Sequence, residues 1–75
     1  MSDYGRLWQK VADIRDELNR LVSHAKTSTL KDAQRTCADS IITARDAGDV
    51  TRADRIEYLL ADWAYLERKM ANTYT

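Results

Sequence analysis

The chain contains no proline and no phenylalanine, and has two glycines, one cysteine and one histidine. Each shortage excludes something. A lone Cys37 cannot form a disulfide within the chain. A lone His24 beside a lone thiol cannot build a structural zinc site of the usual Cys and His ligand sets. The Ser-His-Asp and Cys-His arrangements need a histidine held beside the nucleophile. His24 is expected in the last turn of the first helix, where a cation complements the helix dipole. No Gly-rich phosphate loop is present, and the segment Asp46 to Asp49 lacks the remaining ligands of a calcium loop. Asp13, Asp16 and Glu17, and also Asp46 and Asp49, are expected on solvated faces and at helix ends. We therefore expect no catalytic residues, no cofactor and no metal.

Charge of one sign is also lacking. Twelve Lys and Arg balance twelve Asp and Glu, and no block of like charge occurs. A global attraction to nucleic acid or to an anionic membrane is not encoded. No apolar run approaches the length of a membrane span, and the N-terminus lacks the apolar stretch of a signal peptide. The expectation is a cytoplasmic protein with a reduced thiol.

What is present is helical periodicity. Tyr4, Leu7, Val11, Ile14, Leu18, Leu21 and Ala25 alternate spacings of three and four, a heptad stripe suited to lying along another helix. Trp8 and Val22 widen it. A second stripe, Ile56, Leu59, Trp63, Leu66 and Met70, repeats the spacing, with Leu60 at its shoulder. Between them, Leu30, Ala33, Cys37, Ile41 and Ala44 form a face of mostly small side chains. Strand signals are absent.

Breaks in pattern delimit the elements. Continuing the first heptad past Ala25 meets only polar residues, and Thr29 with Asp32 resembles a capping box. Gly48 suits the left-handed position after a helix, and Thr51 with Asp54 is a second box-like pair. The reading is one all-α domain over 1–75, with helices over about 3–25, 29–47 and 51–71. Asn72 to Thr75 are expected to fray. It is a three-helix bundle or a long antiparallel helical hairpin with coiled-coil-like heptads. One continuous rod through helices 1 and 2 is the alternative, since no Gly or Pro forbids it. The core seam is Leu7, Val11, Ile14, Leu18, Leu21, Ile56, Leu59, Trp63, Leu66 and Met70.

The stretch Ala44 to Gly48 followed by a helix resembles the turn of a DNA-binding helix-turn-helix, with a small residue four before the glycine. That family seats its second helix with apolar residues six and nine after the glycine. Here those positions hold Asp54 and Glu57, which would also repel phosphate. Gly48 and Ala53 resemble the turn of a tetratricopeptide unit as well, a feature shared by many α-hairpins.

A chain this short gains only a few kcal/mol from a single core, so a homodimer is expected. Tyr58 and Tyr65 lie almost opposite the second stripe. With Trp8 and Ile42 they are the candidate interface residues. The function expected is a small non-enzymatic protein–protein interaction or regulatory module, with an unidentified protein partner and no membrane. In size and style it is similar to accessory proteins of phages and plasmids. The second, disfavoured reading is a nucleic-acid-associated regulator using Arg6, Arg35, Arg45 and Arg52.

Overall fold

A computed structural model describes residues 3–23 and 28–74. It contains three helices: α1 (Asp3–Leu21), α2 (Leu30–Asp46) and α3 (Val50–Tyr74). No strand occurs among the described residues. The fold is an all-α bundle, and α1 and α2 are separate helices rather than one rod.

The bounds differ from expectation at the C-terminal ends of α1 and α3. α1 stops at Leu21 instead of Ala25. Val22 still donates to the Leu18 carbonyl at 2.8 Å, and the Arg52 guanidinium of α3 donates to the Leu21 carbonyl. The last carbonyls of a helix lack intrahelical partners, and here a side chain from another helix supplies one. Ala25 and the single histidine, His24, lie outside the described residues. At the C-terminal end the helical backbone of α3 runs through to Tyr74, beyond the expected end at about residue 71.

Local chemistry sets the remaining termini. Thr29 caps α2 in an extended conformation (φ −130°, ψ 159°), and its hydroxyl accepts from the Asp32 N–H at 3.1 Å. The Asp32 carboxylate takes the Ser28 hydroxyl at 3.2 Å. Only one arm of a capping box is thus made by Thr29 and Asp32.

α2 ends in a Schellman motif. Gly48 N–H bonds the Arg45 carbonyl at 3.0 Å and Asp49 N–H bonds the Ala44 carbonyl at 2.7 Å. Gly48 has φ +81°, the left-handed region where a Cβ is disfavoured. α3 is capped by Asp49, whose carboxylate accepts from the Arg52 N–H at 3.2 Å. The expected pair of Thr51 and Asp54 does not cap it. Thr51 already lies inside the first turn, and Asp54 pairs with Arg45 instead.

α3 is the central element. Both α1 and α2 pack on it and not on each other at the backbone level. Glu17 and Leu21 near the end of α1 meet Arg55 and Arg52 near the start of α3, so the two helices are antiparallel. The tight turn at Gly48 makes α2 antiparallel to α3 as well. α1 and α2 therefore run parallel to each other, both packed on α3, and their side chains line shared clefts. The molecule measures 43 × 18 × 17 Å. Its long axis matches the roughly 37 Å expected for the 25 residues of α3.

The two flanks use different packing. Against α1, α3 places large side chains: Leu7, Val11, Ile14 and Leu18 are buried with Leu59, Trp63, Leu66 and Met70. On the α2 side, Ala33, Cys37, Ala44 and Ala53 are buried, small residues that let two backbones approach closely. Leu18, Ile56, Val11 and Cys37 are the largest fully enclosed side chains. Burying each large aliphatic is worth about 1.5–3 kcal/mol before entropy is counted. Leu21, placed in the seam by its spacing, is only partly buried. Val22 from the shoulder is buried in its stead, because the helix ends between them. Among the described residues no buried side-chain polar atom lacks a hydrogen-bond partner.

Candidate functional site

Among the described residues the exposed large hydrophobic side chains are Trp8, Ile42, Val50, Tyr58 and Tyr65. The four candidate interface residues are all among them, and they do not form one patch. Ile42 is nine residues after Ala33, half a helical turn from the buried face of α2. Trp8 lies on α1 beside Tyr4, with the ring centroids 6.3 Å apart and the planes at 78°. Tyr58 and Tyr65 are both exposed on the outer side of α3, and Tyr58 also borders the groove between α3 and α1, beside Lys10, Asp13 and Glu17.

The tyrosine face is ordered by cations. The Arg55 guanidinium sits 5.4 Å from the centre of the Tyr58 ring, and the Lys69 ammonium 5.6 Å from that of Tyr65. Such stacking holds an exposed ring against its own helix. Ala61 lies one turn after Tyr58 and one before Tyr65, so the middle of this face has little bulk.

The Trp8 side is concave. A cleft of about 310 Å³ opens where the start of α1, the start of α2 and the end of α3 meet. Tyr4, Trp8, Val11, Leu30, Trp63 and Met70 form its apolar wall, and Glu67 is the one charged side chain among the described residues that line it. Spacing puts Trp63 in the core seam and Trp8 at the shoulder of the first stripe. It gives no signal that both line one cavity with Leu30 of another helix.

The arginines do not converge. Arg45 is bound by Asp54 at 3.2 Å and by Glu57. These are the same two acids that break the helix-turn-helix pattern. Arg55 forms a two-pronged pair with Glu17, and Arg52 binds the Leu21 carbonyl. Arg6 borders a separate concavity with Asp3, Lys10 and Lys69, near the other end of the bundle from Arg52. Only Arg35 and Arg52 border a common groove, beside Ser23, Thr36, Asp39 and Ser40.

Two titrating groups are displaced. The hydrogen bonds from Arg55 hold the Glu17 carboxyl below the usual glutamate range. Burial pushes the Cys37 thiol up, which disfavours the reactive thiolate. Among the described residues no cluster of three His, Cys, Asp or Glu side chains is placed to hold a metal ion. No helix of the described residues is long and apolar enough to cross a membrane. No protein-family model, no curated protein and no solved structure matches this chain.

Proposed function

We propose that the protein is a small non-enzymatic interaction module that acts as a homodimer through the outer face of α3. The observation that carries this reading is the exposure of Tyr58 and Tyr65, 60% and 52% accessible, on a single helix face. Tyrosine offers large contact area at low entropy cost, and aromatic residues are enriched where proteins meet.

The face is self-complementary. A two-fold axis beside Ala61 and Asp62 would run two copies of α3 antiparallel. Tyr58 of one copy would then oppose Tyr65 of the other, as an isologous contact requires. The same axis sets Asp54 opposite Lys69, charges of opposite sign. Ala61 at the centre allows the two helices to come close. The regulatory role follows from what such a dimer can do: it presents duplicate, rigid helical surfaces to a protein partner, with no pocket chemistry required. The nucleic-acid reading gains no support, because Arg45 and Arg52 are engaged by groups of the chain itself.

Sedimentation equilibrium tests the proposal. The wild type is expected at twice the chain mass. The double substitution Tyr58→Ser and Tyr65→Ser is expected at the monomer mass, with helical circular dichroism unchanged. A monomeric wild type, or a dimer untouched by the double substitution, overturns the assignment.

A further inference from the structure

The cleft at the opposite side of the molecule from the tyrosine face has a chemistry of its own. Three of its walls are aromatic. Trp63 forms the floor at 2% exposure, while Trp8 stands at the rim at 45%. Tyr4 meets Trp8 nearly edge to face, so the two rings turn different surfaces into the space around them. Val11, Leu30 and Met70 fill the apolar gaps. The remaining wall carries Glu67, which makes no ion pair among the described residues. Among the described residues no lysine or arginine borders the cleft.

We propose that this cleft binds an alkylated ammonium cation, the charged group of a choline-type molecule. The face of an aromatic ring carries negative electrostatic potential, and a cation above it within about 6 Å is attracted. Several rings around one cavity, with a carboxylate in the wall, add their attractions at one point. The alkyl groups matter as much as the charge. A bare ammonium holds its water tightly and gains little from Leu30, Val11 and Met70. A methylated one is apolar outside and gives up weakly bound water. The start of α2 also borders the cleft and would favour an anion. Asp32 in its first turn and the Ser28–Asp32 contact place negative charge there and oppose that preference. The cleft volume stands at the lower end of the range for ligand sites, about 300–1,000 Å³, enough for a head group.

This inference uses residues away from Tyr58 and Tyr65 and does not depend on the dimer. Its test is direct because Trp8 and Trp63 are the only tryptophans in the chain, so indole fluorescence reports on the cleft alone. The full-length protein is titrated with choline chloride, tetramethylammonium chloride and, at matched ionic strength, sodium chloride. A neutral isostere of choline, 3,3-dimethylbutan-1-ol, is the shape control. A saturable spectral change is expected with both quaternary salts and not with sodium chloride, with the alcohol at least about tenfold weaker. Glu67→Gln and Trp8→Leu, both at exposed positions, are expected to weaken binding about tenfold or more while leaving the helical spectrum unchanged. A trimethyllysine peptide distinguishes the source of the cation. Tighter binding than choline places it on a protein chain, and weaker binding on a free small molecule; either supports the site. Absence of a saturable change with every quaternary ammonium, or equal binding of the neutral alcohol, overturns it.

Discussion

Arg55 of α3 grips Glu17 of α1 side-on: its Nε donates to Oε2 at 2.6 Å and its Nη2 to Oε1 at 2.8 Å. This two-pronged geometry fixes the angle as well as the distance between the groups. It also fixes register. A slide of α1 by one turn along α3 would break both bonds and move Leu18 out of its enclosed position. The pair is partly solvated, so its contribution to stability is modest and salt-sensitive.

The pair predicts a specific pH dependence. The native carboxyl is held below its ordinary value. A lowered native pKa means that the stabilisation is present above the unfolded value and is lost as pH falls through the native one. The loss begins near the ordinary glutamate value of about 4.3 and is complete below the native value. Urea midpoints of the wild type and of Glu17→Gln should therefore differ at neutral pH and converge in acid, once the pH has fallen below the lowered native value. Parallel curves at every pH would show that the pair adds nothing to folding.

Much of the fold is legible in the chain because its signals are local. The heptad spacings of Leu7 to Leu18 and of Ile56 to Met70 mark the residues that the structure buries. Gly48 marks a turn because only a residue without Cβ adopts its conformation freely. Thr29 marks a helix start by its hydroxyl. The misreadings arise where distant residues decide. α1 ends at Leu21, where Arg52, far along the chain, binds its carbonyl, a contact that no local pattern announces. Asp54 looks like half of a cap for α3 until Arg45 from the preceding helix takes it. Spacing also cannot say which helix is central. The role of α3 shows only when α1 and α2 are both seen packed on it. What is legible at Trp8, Ile42, Tyr58 and Tyr65 is exposure, residue by residue, and not a common surface. Trp8, Ile42 and the two tyrosines are each exposed, yet the bundle turns them in different directions. The cleft at Trp8 draws on three helices, and no local pattern encodes such a meeting.

The most enclosed part of the core should respond most to truncation. Leu18 is fully buried against α3, and Cys37 is fully buried on α2. Leu18→Ala should destabilise the protein by about 2–5 kcal/mol. Cys37 offers a way to measure this without denaturant, because its thiol must be exposed before it reacts. Under conditions where reclosing outruns labelling, the reaction rate follows the open population. At a tenfold change per roughly 1.4 kcal/mol, Leu18→Ala should speed labelling of Cys37 by more than about tenfold. Ile42→Ser, at an exposed position, should leave the rate nearly unchanged. Fast labelling of the wild type itself would show that α2 leaves α3 independently of the rest.

The two glycines should respond to the same substitution with opposite signs. Gly48 has φ +81° and Gly5 lies within α1, and neither would bring an added Cβ within 4 Å of another group. Crowding is therefore removed from the comparison, and backbone preference remains. Alanine at position 48 is strained in the left-handed region, so Gly48→Ala should cost about 1–2 kcal/mol. Gly48→Asn should cost less, because asparagine tolerates that conformation better. At position 5 the native backbone is helical. Gly5→Ala should stabilise by about 0.4–1 kcal/mol, chiefly by restricting the unfolded chain. Urea unfolding of the three variants measures all of these. A stabilising Gly48→Ala would mean that the chain between α2 and α3 does not turn through a left-handed glycine, and with it the Schellman bonds from Gly48 and Asp49 would be lost as the reason α2 ends where it does.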